Sequence, residues 1–477
     1  MNGLPQHIPL THYQALFDEQ KAYAIKLRSA SVALRKVKLK KMLTWIYDHR
    51  TDIQDALYKD LKKPIVEVDI AEILPITGEI KHALQNLHRW TRKKKVAPSL
   101  LMLGTKASIK YEPKGTCLII SPWNFPFNLA LAPLVSALAA GNSAILKPSE
   151  RTPNTTALIS VMVNELFDRH EVAVVEGAVE ETQALLKLPF DHIFFTGSPQ
   201  VGKIVMAAAS NNLTSVTLEL GGKSPAIVDE TANIKDAAKK LTWGKFLNCG
   251  QTCIAPDYVL VHKSKFNELK TELIEHIASY YNSEETGIDQ SGDYSSIVDA
   301  RHISNLKEML DDAISKGAKL EIGGQTNSDT HFFAPTILSE VTMDAKVLQD
   351  EIFGPILPIV IYSQLDETID IINAKPKPLA LYIFTASNKN KKRILLETTS
   401  GGVAINDNVI QFSHLNLPFG GVNNSGIGKS HGYHGFLAFS NEKSVLTQRV
   451  GLTGISFFYP PYNKWVKKLV EFVIRFL

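Results

Sequence analysis

The sequence predicts an α/β protein on parallel sheets, with two compact domains and a functional cleft between them. Apolar strand-like segments that run into turn residues alternate with helical segments of ten or more residues. Strands joined by such crossovers pair in parallel beneath helices on both faces. A second series of the same kind starts near Lys223. At 477 residues, 44% apolar and 21% charged, the chain is long enough for two or three domains with large cores.

Residues 12–60 show helical periodicity with abundant charge. The basic run HRWTRKKK (88–95) reads as solvated surface. Strands are expected at GTCLIISP (115–122), NSAILKPS (142–149) and HIFFTGS (192–198). Helices are expected at LALAPLVSALAAG (129–141), PNTTALISVMVNELF (153–167) and EETQALLKL (180–188). The second series holds SPAIVD (224–229), a helix near 233–247, YVLVH (258–262), a helix at 264–281, LPIVIY (357–362) and a helix at 365–373. The apolar run 125–140 is broken by Asn128 and two prolines and falls short of the ~20 residues a membrane span needs. At the C-terminus, WVKKLVEFVIRFL (465–477) places Val466, Leu469, Val470, Val473 and Leu477 on one helical face and Lys467, Lys468, Glu471 and Arg475 on another. This amphipathic helix is expected to pack on protein, with a peripheral bilayer contact as the alternative.

The net charge of +4 (52 basic, 48 acidic) gives no reason to expect nucleic acid. Three cysteines exclude a disulfide framework and point to a reducing compartment. The opening MNGLPQHIPLTHYQ lacks a basic stretch followed by an apolar run, so no signal peptide and a cytoplasmic location are expected.

Four motifs carry chemistry. Gly197-Ser-Pro-Gln-Val-Gly202-Lys203 imitates a nucleotide-triphosphate loop after a strand, with AIVDE (226–230) as the acidic partner. Ile204 stands where a Mg²⁺-binding hydroxyl is required, and Pro199 removes a backbone donor, which weakens the P-loop NTPase reading. A glycine turn into a helix N-terminus still suits a dinucleotide phosphate, although G-x-G-x-x-G is absent. In ISPWNFPFN (120–128), prolines fix the backbone around Asn124, either as a rigid turn or as an amide aimed at a developing oxyanion. In LELGGKSP (218–225), Glu219 lies opposite Leu218 and Leu220 beside two glycines, as an ion-paired side chain or as a general base. Cys249 and Cys253, in NCGQTC, lack the further ligands that zinc needs and the C-x-x-C spacing of a redox pair. A thiol nucleophile is left, and it calls for a lowered pKa; spacing does not choose between the two sulfurs.

Together these residues resemble the aldehyde dehydrogenase superfamily. PWNFPF, LAAGNSAILKPSE, FTGS…VGK, LELGGKSP, GQTC, EIFGP and LPFGG…NSGIG occur in that family's order over roughly residues 110–430. KPSE, NCGQTCIAPDY and HG..GF..FS..K look most like the class 3 group, which includes fatty aldehyde dehydrogenases. The resemblance implies two Rossmann-like three-layer domains with a small β oligomerisation arm. The cofactor-binding domain would comprise 1–88 and 108–220, the catalytic domain 221–414, the bridging segments 89–107 and 430–450, and the terminal helix 464–477. It implies Cys253 as nucleophile, Asn124 as oxyanion donor and Glu219 as base. Trp123, Lys147, Glu150, Gly197, Ser198, Gly202, Glu351 and Phe353 would bind NAD, with NADP as an alternative cofactor. No metal is implied. Cys249 has no family-wide role. An aliphatic or aromatic aldehyde, medium to long in chain, would be oxidised to the acid by a homodimer. An acylating enzyme and a non-enzymatic binding protein are the alternatives on the same fold. One departure from the group's pattern is Asn423, which replaces the middle glycine of the glycine-rich loop; asparagine tolerates the left-handed backbone such a turn needs.

Overall fold

A computed structural model describes residues 10–97, 102, 104–451 and 453–476. The first nine residues, on which the leader expectation rests, lie outside the described residues, as do part of the 89–107 segment and Leu477. Two sheets dominate. The first has six strands in the order Gly426–Ile427, Ser215–Leu220, His192–Gly197, Thr116–Ile120, Ser143–Lys147 and Val172–Val174. All its pairs are parallel except the one that joins Gly426–Ile427 to Ser215–Leu220. The second has seven strands, with Ile356–Tyr362, Tyr258–His262 and Pro225–Val228 at its centre, and only its Lys319–Ile322 edge runs antiparallel. Every residue of Thr116–Ile120, Ser143–Lys147 and Pro225–Val228 is buried, as expected of strands covered on both faces. The expected strands and helices of both series are present. An antiparallel arm of Lys94–Val96, Lys106–Pro113 and Ser440–Thr447 completes the architecture.

In the six-stranded sheet the chain starts at Thr116–Ile120, moves outward through Ser143–Lys147 and Val172–Val174, and returns to the other side at His192–Gly197. The strand order therefore reverses between Thr116–Ile120 and His192–Gly197. A crevice opens beyond the C-terminal ends of strands at such a point. The two loops that flank it are SPWNF (121–125) and the Gly197–Ser198 turn.

The apolar run beginning at Phe125 is a core element. Helix Pro126–Ala140 has 14 of its 15 residues buried, starts on a proline whose missing N–H costs nothing there, and ends on Gly141 at φ +94°. It starts three residues before the expected helix because Pro126 occupies that first position. The basic run is only partly solvated: Trp90 ends helix Leu74–Trp90 and is buried against Phe436 and Tyr433. Helix Lys464–Phe476 buries Val466 and half-buries Leu469, Val470 and Val473, while Trp465, Phe472, Ile474 and Phe476 are exposed.

Gly202 sits in the first turn of helix Pro199–Ser210, where an added Cβ would lie 2.6 Å from Leu220 Cδ2. Its absence lets the helix approach strand Ser215–Leu220. Gly202→Val is expected to destabilise the protein by about 1–3 kcal/mol through overpacking, read as a lowered midpoint in denaturant titration with unchanged slope.

Candidate active site

Asn124 follows the strand Thr116–Ile120 at the reversal point and is almost wholly buried. Its backbone carbonyl accepts from Lys63 Nζ (3.0 Å) and from Asn248 Nδ2 (2.8 Å), and its own Nδ2 donates to the Gln251 carbonyl (2.9 Å). Lys63 Nζ also lies 2.6 Å from Glu72 Oε1, with neither side chain exposed, and 4.3 Å above the Phe125 ring. The second Glu72 oxygen accepts from the Asn128 N–H (2.8 Å). Glu72 belongs to a five-residue π-helical turn, Asp69–Ile73, a distortion that aims side chains unusually. Proline restricts the backbone around Asn124, as the sequence suggests, and a buried ion pair holds the loop in place.

The NCGQTC loop continues helix Ile234–Phe246 through three left-handed residues: Asn248 (φ +52°), Cys249 (φ +55°) and Gly250 (φ +74°). Two of these are not glycine, and such positions cost of order 1–3 kcal/mol each unless the surroundings impose them. Here the Asn248 N–H donates to Glu67 Oε2 (3.0 Å), and Gln251 Nε2 donates to the Asn248 and Ser296 carbonyls (both 3.0 Å). A Cβ on Gly250 would lie 2.3 Å from the Gly354 carbonyl oxygen, so the EIFGP segment and this loop touch backbone to backbone.

The two sulfurs separate cleanly. Cys249 is fully buried, donates to the Tyr294 hydroxyl (3.2 Å), and burial pushes its thiol up to about 12. Cys253 is partly exposed and lines two cavities at once. One, about 210 Å³, is an apolar tunnel whose walls include Ile70, Leu74, Leu129, Trp243, Ile410 and Phe412. The other, about 230 Å³, is a cleft that also contains Asn124, Trp123, Gly197, Ser198, Glu219, Glu351 and Phe353. Seven of the sequence-predicted residues thus meet Cys253 in one space. Lys147, Glu150 and Gly202 lie outside its walls.

Burial pushes the Cys253 thiol well up, and Glu351 and Glu219 add to the rise, against the backbone N–H groups of Cys253 and Ile254. This corrects the expectation of a lowered thiol: two buried carboxylates face the sulfur, and no cationic side chain is among the causes. Burial also raises Glu219 to about 7, opposed by the Ser430 hydroxyl donating to Oε1 and by Lys429. Glu351 rises to about 8 by burial and then by the nearby Asp257 charge, opposed by the Gly222 N–H and by Lys223 and Lys245. Both carboxylates therefore exchange protons near neutral pH.

The cleft fits a dinucleotide. Ser198 caps helix Pro199–Ser210, whose N-terminal N–H groups and dipole suit a phosphate. A Cβ on Gly197 would lie 2.6 Å from the Phe195 ring. Lys147 Nζ, at the end of strand Ser143–Lys147, is buried, donates to the Pro148 carbonyl (2.8 Å), and lies 3.9 Å from Glu150, so it retains protons for a ligand hydroxyl. Trp123 stacks edge-on to Phe353 at 5.3 Å with Arg151 above it at 4.6 Å, forming an aromatic wall. The phosphate-loop imitation fails structurally. Helix begins at Pro199, so Gly202 and Lys203 lie inside it, with Lys203 exposed. Asp229 is engaged by Thr231 and Asn390 at the other sheet. Asn423 adopts φ +55°, as its replacement of glycine requires, and accepts from Lys377 Nζ (2.8 Å).

Sequence reasoning did not single out Lys63, Glu67, Glu72, Glu79 or Ser430. Their residue types are ordinary for solvated helices and loops; only burial marks them, and no local pattern reports it. No group of three or more His, Cys, Asp or Glu suited to a metal ion occurs among the described residues.

A thiol at the mouth of an apolar tunnel, facing a dinucleotide-type crevice, defines a two-domain oxidoreductase of the NAD(P)-dependent kind. Comparison with known proteins gives the family. The aldehyde dehydrogenase family matches residues 11–445, and the chain belongs to it. The chain is 45% identical over 457 residues to 4,4'-diaponeurosporen-aldehyde dehydrogenase of Staphylococcus aureus, covering 96% of this chain and 98% of that one. It is 41% identical to aldehyde dehydrogenase family 3 member A2 of Macaca fascicularis, covering 92% and 89%. A structure of the substrate-bound state of Staphylococcus aureus AldH superposes with a TM-score of 0.92 at 44% identity, covering 97% and 99%. A structure of PnpE in complex with nicotinamide adenine dinucleotide superposes with a TM-score of 0.84 at 25% identity, covering 93% and 91%. The protein is an aldehyde dehydrogenase that oxidises aldehydes with NAD(P).

Lys63→Met leaves Glu72 buried without its cation and is expected to cost about 3–5 kcal/mol. Adding Glu72→Leu should recover part of that loss. Denaturant titration of the single and double variants measures both. Equal stability of wild type and the single variant contradicts the role given to the pair.

Proposed function

We propose that Cys253 is the nucleophile, Asn124 the side-chain oxyanion donor and Glu219 the general base in oxidation of medium- to long-chain aldehydes. The observation that carries this is the position of Cys253 where the apolar tunnel and the cleft meet. An aldehyde whose chain lies among Leu74, Trp243 and Ile410 brings its carbonyl carbon to the sulfur. The Cys253 thiol first gives its proton to water in the cleft, and as the C–S bond forms the thiolate charge passes to the carbonyl oxygen. One proton of the Asn124 amide is engaged with Gln251; the other, with the Cys253 N–H, stabilises that charge. When bound, the nicotinamide ring supplies the acceptor for the hydride that leaves the thiohemiacetal carbon, and a positive charge beside the sulfur. Glu219 then takes a proton from water as the water oxygen attacks the thioester, the C–S bond breaks, and the acid is released. The Asn124–Gln251–Asn248 bonds hold the oxyanion donor and the nucleophile loop as one unit.

Lys147 and Glu150 are assigned to the adenosine ribose, Gly197, Ser198 and Gly202 to the pyrophosphate turn, and Trp123, Glu351 and Phe353 to the nicotinamide side. The partly exposed Glu150 carboxylate favours a free 2′-hydroxyl over a 2′-phosphate, so NAD is preferred to NADP. Residues 1–88 and 108–220 are assigned to the cofactor domain and 221–414 to the catalytic domain. The segments 89–107 and 430–450 are assigned to homodimer formation, supported by the exposed edge strand Ser440–Thr447. The C-terminal helix has exposed Trp465, Phe472 and Ile474 beside Lys464, Lys467 and Lys468, which suits a peripheral, cytoplasmic-side membrane contact. No helix of the described residues is long and apolar enough to cross a membrane.

Cys253→Ala is expected to abolish aldehyde-dependent NADH formation while cofactor binding persists, and Cys249→Ala to retain it. The reverse pattern overturns the assignment. Glu219→Gln is expected to keep the pre-steady-state NADH burst and lower steady-state turnover at least a hundredfold. Because Glu219 accepts a proton only when ionised and its pKa is raised to about 7, wild-type kcat should fall as pH drops through neutrality, measured as a pH profile.

A further inference from the structure

Glu219 also borders a small cavity of about 20 Å³, where Glu79, Ser430 and His431 meet it among mostly apolar walls that include Pro133 and Phe194. That volume accommodates one water molecule, and the few polar groups in its wall, on Glu79, Glu219, Ser430 and His431, are the partners such a water would use. Two buried carboxylates face it from different elements: Glu219 on strand Ser215–Leu220 and Glu79 on helix Leu74–Trp90. The Ser430 hydroxyl donates to Glu219 Oε1. The Gly432 N–H donates to both Glu79 oxygens (3.2 and 3.0 Å). His431 Nδ1 lies 3.6 Å from Glu79 Oε1 and has no hydrogen-bond partner among the described residues, in a ring 9% exposed.

We infer that Glu79 is a proton-holding partner of Glu219, reached through Ser430 and a water in this cavity with His431 as the flanking acceptor. The inference rests on the reading of Glu219 as base. In deacylation the water O–H bond breaks and the proton passes to Glu219. Protonated Glu219 then donates to the Ser430 oxygen, the Ser430 hydroxyl turns to the cavity water and passes its proton there, and the water protonates Glu79. The same path run in reverse returns the proton to solvent through the cleft once the acid has left. No electrons are transferred, and Glu219 is ionised again while the product is still in the tunnel.

The electrostatics suit this exchange. Burial raises Glu79 to about 7, opposed by the Gly432 N–H and reinforced by the Glu219 charge, which matches the level of Glu219 itself. Burial lowers His431 to about 4, so the ring stays neutral and does not pin Glu79 in its charged form. The other charged or titratable groups facing the cluster are Lys429, which favours ionised Glu219, and His82, whose ring lies beside Gly432. The Glu219 charge thus adds to the rise that burial gives Glu79.

The test uses full-length Glu79→Gln and Ser430→Ala enzymes, with the pH profile of kcat and the NADH burst as readouts. Glu79→Gln keeps an acceptor for the Gly432 N–H and removes a like charge. Its burst should persist, kcat at neutral pH should fall about tenfold, and the acidic limb should move down by about half a pH unit or more. Ser430→Ala removes a donor to the ionised base, so its acidic limb should move up by a similar amount. A merely structural Glu79 predicts a Glu79→Gln profile that overlays wild type, and that result overturns the inference. If Glu79→Gln fails to fold, the Ser430→Ala limb decides: no upward shift overturns it. Glu219→Gln separates the two claims. Unaltered turnover in that variant removes the base assignment, whereas slowed Glu219→Gln with wild-type Glu79→Gln removes only the relay.

Discussion

The buried pair Lys63–Glu72 is the constraint on which the active site depends. Transferring both charges out of water costs several kcal/mol per ion, and mutual attraction offsets this only when the remaining donors and acceptors are used. Lys63 spends a further proton on the Asn124 carbonyl, and Glu72 receives the Asn128 N–H. The pair is therefore a four-way junction between the segment after helix Arg50–Leu61, the π-turn, the loop that carries Asn124 and the start of helix Pro126–Ala140. From the same Asn124 carbonyl, Asn248 extends the network into the loop that carries Cys253. Loss of the cation would leave an uncompensated carboxylate at the base of the site, so the junction is costly to build and costlier to break.

Around the sulfur, desolvation outweighs pairing. Glu219, Glu351, Glu67 and Glu79 are all raised to about 7 or 8 with burial as the first cause. Positive side chains are present, but Lys223 is committed to Asp257 at 2.5 Å, and Lys245 is lowered to about 8 by its own burial. A site of this kind stores protons, and it gains most from a positive charge brought in with a ligand. That is the electrostatic complement to a cationic nicotinamide.

The regular parts of the molecule were legible because period and punctuation are local. TCLII and SAILK are continuous apolar runs ended by turn residues, and they form the central buried strands. Asn124, Glu219 and Cys253 were legible as candidates because proline, glycine and cysteine mark unusual backbone or chemistry. Spacing did not choose between the sulfurs, and only the family resemblance pointed to Cys253, since the difference depends on which thiol the left-handed Asn248–Gly250 turn directs into the cavities and which it directs at Tyr294. Nor was the lowered thiol borne out, because burial raises it first, and carboxylates about 35 residues before and 100 residues after it add to the rise. Lys63, Glu72 and Glu79 were invisible for the same reason: their meaning lies in burial, which tertiary packing alone creates.

The position of Cys253 on the wall of both cavities also bears on traffic through the enzyme. If Cys253 acts as proposed, the reacting carbon is approached from the tunnel and its redox partner from the cleft, so each has its own doorway. On that reading, departure of the acid through the tunnel would not require the dinucleotide to move first. The geometry thus leaves the order of release to the relative lifetimes of the two complexes, and changes that widen or narrow one doorway tune its own exchange without rebuilding the other.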